Sequence, residues 1–266
     1  MVKKLIKHEF IYYIRTLGVF LPIVLVFGLM ARILGLFDHD NIISQIALGS
    51  SISLLFVSCA ALLILSSITL IVRFYKNMYS AEGYLTFTLP VTNTQHIFVK
   101  LFVATVCDTV CLLTVIAAML IAFLDKDFIE FFSALRGQFP KIGAANAIGF
   151  TIEGILLAFS ASISNTLLYY ACITVGQTAK KNRILMAVGA YFIYYVATQI
   201  ISTAISVVMT VLSITGAFNG LFEWMEVNFA ATMHIILSVS TVISIGLSVA
   251  FWLLTQSIMT KKLNLE

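Results

Sequence analysis

The amino-acid sequence predicts an all-α, polytopic membrane protein with six transmembrane helices. Of its 266 residues, 61% are apolar and only 11% are charged, and the mean hydropathy is +1.04. A typical soluble domain has about 45–50% apolar and about 25% charged residues. A soluble globule of this length has too little interior to bury so many apolar side chains. The composition therefore excludes a soluble enzyme, a secreted domain and a disordered regulator.

Six apolar runs are long enough to cross the bilayer, whose hydrocarbon core of about 30 Å takes about 20 helical residues. In lipid, backbone N–H and C=O groups must be paired within a helix or a closed barrel, and these runs lack the alternation of barrel strands. We therefore predict six helical spans, numbered one to six in chain order. They are Leu17–Phe37, Ser50–Val72, Ile97–Leu124, Thr151–Val175, Ile184–Ser213 and Thr232–Ile258.

The distribution of basic residues predicts that both termini are cytoplasmic, because short cytoplasmic segments are enriched in Lys and Arg. One side of the six-span arrangement holds Lys3, Lys4, Lys7, Arg15, Arg73, Lys76, Lys100, Lys180, Lys181, Arg183, Lys261 and Lys262. The loops on the other side hold only Lys126, Arg136 and Lys141. These basic residues do not form the stripe typical of nucleic-acid binders, so we expect no nucleic-acid partner.

The domain organisation follows from these spans. Residues 1–266 form a single transmembrane domain, in which 1–16 are an amphipathic helix, 17–258 the six-span bundle and 259–266 a cytoplasmic tail. No short apolar segment ends in a small-residue cleavage site, so we expect no removed signal peptide. The four cysteines lie in apolar runs and are expected to be free, because buried cysteine behaves as a small apolar residue. They are Cys59, Cys107, Cys111 and Cys172.

The N-terminal segment has the pattern of an amphipathic helix lying along the inner leaflet. Its apolar side carries Val2, Leu5, Ile6, Tyr12 and Tyr13, and its polar side carries Lys3, Lys4, Lys7, His8 and Arg15. Glu9 falls on the apolar side. Two interpretations remain open: the carboxylate reaches up to water, or it pairs with a cation on the inner rim of the bundle, such as Arg73.

The cytoplasmic segment between spans two and three has room for one short helix between Arg73 and Pro90. Pro90 ends whatever precedes it. Thr92 and Gln95 have the spacing of a capping box and open the third span. The segment is apolar enough to dock on a partner, and a loop packed against the inner leaflet is the alternative.

A second short helical segment is predicted before span six. Residues 214–231 are too polar to span the bilayer and too apolar to lie in water. This composition predicts a re-entrant or interfacial pair of helices, with Trp224 at the level of the lipid headgroups.

Polar side chains within the spans are candidates for a transport pathway or for helix packing. Ionisable residues inside a membrane are functional candidates by default, whereas small hydroxyl residues often serve close helix packing. Both interpretations stay open for Ser58, Asp108, Gln199, Ser202 and Ser206. Arg32 and Glu153 lie at the outer ends of spans one and four, where we expect a structural ion pair.

Motifs for soluble chemistry are absent from the sequence. It contains no G-x-x-x-x-G-K-[ST], no H-E-x-x-H and no G-x-S-x-G. Cys107 and Cys111 lie beside Asp108, but that helix holds no histidine, so small packing residues are the better interpretation than metal ligands. We expect no catalytic, cofactor-binding or metal-binding residue in this chain, and hence no enzyme.

Two segments resemble the permease subunits of ABC-2-type transporters that are common in Gram-positive bacteria. The first is Glu-Gly-Tyr-Leu-Thr-Phe-Thr-Leu-Pro-Val at 82–91, followed by Lys100-Leu101. The second is Lys-Leu-Ile-Lys-His-Glu-Phe at 4–10, which resembles the amphipathic N-terminal segment of that family, with Lys4, Lys7 and Glu9. The resemblance is specific over about 20 positions and otherwise rests on topology.

This resemblance implies a coupling helix that contacts a separate ATPase subunit, together with the N-terminal helix. Its residues would be Glu82, Gly83, Tyr84, Leu85, Thr86, Phe87, Leu89 and Pro90. ATP and Mg would bind in two such partner subunits, since this chain has no phosphate-binding loop. A second permease chain, identical or related, would complete the complex in a bacterial cell membrane.

The function implied is ATP-driven export of an amphipathic or hydrophobic cargo, such as an antimicrobial peptide or a lipid-like molecule. The candidate pathway residues carry little charge, and no charged ring is seen that would select inorganic ions. The alternative is a non-transporting resistance, sensor or scaffold protein that binds membrane-active peptides.

The predicted topology can be tested by labelling single cysteines in intact cells after removal of the native ones. Cysteines introduced at Ser80 and Thr178 should resist a membrane-impermeant thiol reagent, because both positions are predicted to be cytoplasmic. Cysteines at Asp127 and Asn219 should react. Labelling at Ser80 from outside would contradict the six-span arrangement with both ends inside.

Overall fold

The computed structural model describes residues 2–37, 41–80, 83, 92–124, 130, 133, 144–216 and 218–261. Most of these residues lie in α-helices. In chain order the helices are α1 (Val2–Leu17), α2 (Phe20–Gly35), α3 (Ile42–Tyr79), α4 (Asn93–Phe123), α5 (Ala144–Gly176), α6 (Arg183–Ile214), α7 (Asn219–Val227) and α8 (Phe229–Lys261).

Six helical stretches of the described chain are long and apolar enough to cross a membrane, which confirms the predicted number of spans. They are Lys3–Gly35, Ile42–Tyr79, Thr94–Phe123, Asn146–Gly176, Arg183–Ile214 and Phe229–Thr260. The first stretch combines α1 and α2. Its apolar part is α2, in which Arg32 is the one charged residue.

The helices extend beyond the predicted spans. α3 has 38 residues, from Ile42 to Tyr79, and is about 57 Å long at 1.5 Å per residue. The prediction of Ser50–Val72 covered only the apolar centre, which matches the hydrocarbon thickness. The more polar C-terminal end, from Arg73 to Tyr79, continues as helix because backbone hydrogen bonding does not require an apolar side chain. Arg73 and Asn77 therefore lie on α3 itself, one turn apart.

The start of α4 follows the predicted capping box. Thr92 lies just before the helix, with its Oγ1 accepting a hydrogen bond from the backbone N–H of Gln95 at 3.4 Å. The Thr92 backbone N–H donates in return to Gln95 Oε1 at 3.3 Å. These two bonds satisfy donors that the first turn of a helix otherwise leaves unpaired.

The chain divides into two compact units, Met1–Phe139 and Pro140–Glu266. In the first unit, α2 packs on α3 and α4, and α1 packs on the same two helices. In the second unit, α5 packs on α6 and α8, and α7 adjoins α8. The organisation of residues 1–266 as a single transmembrane domain stays a prediction.

Two predicted short helices have different outcomes. The nine-residue helix α7 occupies part of the predicted segment before span six, and its re-entrant or interfacial position stays a prediction. The coupling helix lies outside the described residues, except for Gly83.

Close packing of α2 on α4 depends on Gly28. A Cβ atom at this position would lie 2.8 Å from the backbone oxygen of Ala118 and 3.2 Å from its Cα. The backbone of α4 cannot move away without disturbing its other contacts. Small residues allow this kind of close approach between helices in lipid.

We expect Gly28→Ala to lower the stability of the purified protein in detergent by about 1–3 kcal/mol, the usual cost of overpacking. Gly49→Ala is the matched control, because Gly49 lies within α3 and a Cβ there meets no atom within 4 Å. That control should be neutral, or stabilising by up to about 1 kcal/mol, since alanine favours helix over glycine. Thermal unfolding of both variants measures the difference. Equal effects would contradict the packing assigned to Gly28.

Candidate functional site

The side of α1 that packs on α3 and α4 carries one carboxylate among otherwise apolar side chains. Glu9, Tyr13 and Leu17 follow each other at intervals of four residues and therefore share one helix face. All three are buried, with 2%, 4% and 3% of their surfaces exposed. A buried carboxylate is costly unless it is paired and hydrogen-bonded, so its partners define the site.

Three side chains from two other helices donate hydrogen bonds to Glu9. Arg73 Nε lies 2.9 Å from Oε2, and Lys100 Nζ lies 2.7 Å from Oε1. Asn77 Nδ2 donates to the same Oε1 at 2.8 Å. We call Glu9, Arg73, Asn77 and Lys100 the Glu9 cluster. It joins α1 to the end of α3 and to the start of α4.

The Glu9 cluster is shielded from water and contains more positive than negative charge. The side chains of Glu9 and Lys100 are 3% and 4% exposed, and that of Arg73 is 19% exposed. The guanidinium Cζ of Arg73 also lies 4.2 Å from the centre of the Tyr12 ring, a cation–π contact. The neighbouring Phe74 is buried as well. Both cations therefore pair with the Glu9 carboxylate in a medium of low polarity, where the attraction between charges is strong.

The sequence left two interpretations open for Glu9, a carboxylate that reaches water or one that pairs with a cation such as Arg73. The ion pair with Arg73 confirms the second interpretation. Sequence reasoning missed Lys100 and Asn77 as partners. Lys100 had a usable signal, because it is a cation among Ile97, Phe98 and Val99 at the beginning of a span. A charge in such a run requires a counter-charge nearby.

The cations predicted for the polar side of α1 are exposed, including Lys4 and Lys7. The helix is therefore amphipathic as predicted, with its cations facing away from α3 and α4. Its position at a membrane interface stays a prediction.

A second polar contact joins α3 and α4 further along both helices. Ser66 Oγ donates a hydrogen bond to Asp108 Oδ1. Asp108 lies eight residues after Lys100, which is about 12 Å along a helix. The contact joins α3 to α4 through Asp108, and whether Asp108 also faces a pathway stays a prediction.

The other pathway candidates lie apart from this contact. Ser58 Oγ donates to the backbone oxygen of Leu55 on its own helix at 2.8 Å. Gln199, Ser202 and Ser206 are exposed on α6, in the other unit. Whether these residues face a pathway or a packing seam stays a prediction.

The proposed outer ion-pair residues lie in different units. Glu153 Oε2 lies 2.9 Å from Nδ1 of His234, which joins α5 to α8. The His234 ring packs 4.4 Å from that of Phe150, measured between ring centres. Sequence reasoning did not pair Glu153 with His234. A contact between Arg32 and Glu153 stays a prediction.

The structure describes one of the predicted coupling residues. Gly83 is buried and donates its backbone N–H to the Ser80 oxygen at 2.7 Å. The others lie outside the described residues. They are Glu82, Tyr84, Leu85, Thr86, Phe87, Leu89 and Pro90.

We expect Glu9→Gln to destabilise the protein by about 3–5 kcal/mol, because it removes the charged partner from a buried, hydrogen-bonded ion pair with Lys100. Thermal unfolding in detergent measures the loss. Glu223→Gln is the control, since Glu223 is an exposed carboxylate on α7, and its effect should be within about 0.5 kcal/mol.

A double-mutant cycle separates charge pairing from simple packing in this prediction. Adding Lys100→Met to Glu9→Gln removes the cation that has lost its ion pair with Glu9, so the double variant should be more stable than the sum of the single effects predicts. Additive losses would contradict the ion pair between Glu9 and Lys100.

Comparison with known proteins finds no matching family model, no matching curated protein and no matching solved structure. The resemblance to ABC-2-type permeases therefore rests on residues 4–10, 82–91 and 100–101 of this chain, together with its six apolar helices.

Proposed function

We propose that the chain is the membrane-spanning permease subunit of an ATP-driven transporter of the ABC-2 type, which exports an amphipathic or hydrophobic cargo. The observation that carries the proposal is the Glu9 cluster, because it joins the N-terminal helix to both helices that flank residues 80–92. In the resembled family, the N-terminal helix and the segment between spans two and three contact the ATPase subunit.

The chain connectivity supports a mechanical link at this place. α3 ends at Tyr79 and α4 begins at Asn93. Arg73 lies less than two turns before the end of α3, and Lys100 lies about two turns after the start of α4. A displacement of the segment between them therefore acts on helix ends that Glu9 already holds together.

The strength of the Glu9 cluster makes this link stiff. Removing one partner from a buried, hydrogen-bonded ion pair costs about 3–5 kcal/mol. The helix α1, the end of α3 and the start of α4 therefore move together rather than slide past one another. Packed interfaces of this kind shift between discrete arrangements. ATP-driven closure of two partner ATPase subunits would bias that shift, with ATP and Mg bound in those subunits.

The character of the candidate pathway supports a cargo of low charge. Ser58, Gln199, Ser202 and Ser206 offer hydroxyl and amide groups, which suit an amphipathic or lipid-like molecule better than an inorganic ion. Gln199 is exposed on the apolar helix α6. An amide in hydrocarbon needs a hydrogen-bond partner, and a second permease chain or a hydrated pathway would supply one.

We expect the double variant Tyr84→Ala/Phe87→Ala to lose its ATPase partner in a detergent pull-down. Aromatic residues at the centre of an interface contribute about 2 kcal/mol or more each. Two additive losses weaken binding by about three orders of magnitude. ATP-dependent transport should be lost as well, while the amount of protein in the membrane should not change, because neither residue belongs to a span.

The matched control is Phe218→Ala/Trp224→Ala, which removes two aromatic residues from the segment predicted to lie on the other side of the membrane. This variant should keep the partner. Retention of the ATPase by the Tyr84→Ala/Phe87→Ala variant, with transport intact, would contradict the proposal. It would favour a segment packed on the leaflet, as expected for a non-transporting resistance or scaffold protein.

A further inference from the structure

The turn between α5 and α6 forms one end of an open groove in the second unit. The groove has a volume of about 620 Å³ and is lined almost entirely by apolar groups. Val175 and Ala179 form one side, from the end of α5 and the turn. The other side is the exposed surface of α6.

The floor of the groove follows one row along α6. Leu185, Gly189 and Ile193 line it at intervals of four residues, so they form a continuous ridge on one face of α6, and Lys181 lies just before the helix begins. Gly189 makes a gap in this ridge, because a Cβ atom there would meet no atom within 4 Å. The missing side chain leaves room for a narrow apolar chain to lie against the helix.

One end of the groove is basic. Lys181 lines the groove itself, and Lys180 and Arg183 are exposed on the same turn. From Leu185 to Ile193 the apolar row measures about 12 Å at 1.5 Å per residue. Half of the bilayer hydrocarbon is about 15 Å thick. The groove therefore combines a cationic end with an apolar length that fits within a single leaflet.

We propose that this groove binds an anionic phospholipid of the leaflet on the side of the α5–α6 turn. The headgroup phosphate pairs with Lys181, and one acyl chain lies along Leu185, Gly189 and Ile193. The cationic end and the one-leaflet length favour this occupant. A second copy of the chain packed symmetrically on the groove would bring its own Lys180, Lys181 and Arg183 near the same cations, and like charges in apposition disfavour such a contact. The inference does not depend on the proposed transport function.

The test uses the full chain in nanodiscs of phosphatidylcholine that contain a small fraction of phosphatidylglycerol with a photoactivatable group in its acyl chain. After illumination, mass spectrometry maps the labelled residues. We expect labelling between residues 179 and 193. Added unlabelled phosphatidylglycerol should suppress this labelling at lower concentration than phosphatidylcholine does.

Two pairs of variants make the test specific. Gly189→Leu fills the groove and should abolish the labelling, whereas Gly246→Leu adds the same side chain on α8, again in open space, and should leave it unchanged. Lys181→Gln should weaken competition by phosphatidylglycerol about fivefold, since a cation near an anionic lipid surface contributes about 1 kcal/mol. Lys180→Gln removes the same charge beside the groove and should change the competition by phosphatidylglycerol less than twofold.

Labelling of the groove that persists in Gly189→Leu would overturn the proposal, as would equal competition by the two lipids. The mass of the particle in detergent gives a further readout. A change from dimer to monomer on Gly189→Leu, without loss of lipid labelling, would assign the groove to a second copy of the chain and would also overturn the proposal.

Discussion

The burial of the Glu9 carboxylate constrains the first unit more than any other interaction described for it. The free-energy cost of moving an unpaired charge out of water is far larger than the stabilisation from one apolar contact. The charge is therefore tolerated only if Arg73 and Lys100 reach it from α3 and α4. Because each of the three side chains is attached to a different helix, this requirement limits how far α1, α3 and α4 can slide along one another.

Much of this architecture follows from the sequence because it depends on local composition. The six spans are predicted by the match between apolar runs and bilayer thickness, and the start of α4 by the reciprocal hydrogen bonds of Thr92 and Gln95. The helix ends are not predicted in the same way. α3 continues to Tyr79, seven residues beyond its predicted end, because polar residues continue a helix once it has formed.

The candidate site was predictable only where one residue was conspicuous. Glu9 stood out on an apolar helix face, and Arg73 at the rim of a span was a natural partner. Lys100 and Asn77 required knowledge of which helix faces meet, and that depends on contacts between residues far apart in the chain. The same reason explains why the sequence did not indicate the contact between Glu153 and His234.

The helix α6 differs from α3 in a way that concerns the biogenesis of the protein. Although α6 packs on α5, none of its side chains becomes buried, whereas α3 buries ten residues between Ser51 and Met78. Entry of α6 from the translocon into the bilayer is therefore driven by its own apolar side chains, each worth a few tenths of a kcal/mol at the membrane centre. Packing against neighbouring helices cannot compensate for a polar substitution that weakens the insertion of α6. Membrane insertion is consequently the main constraint on the side chains of α6, whereas packing against other helices is the main constraint on those of α3.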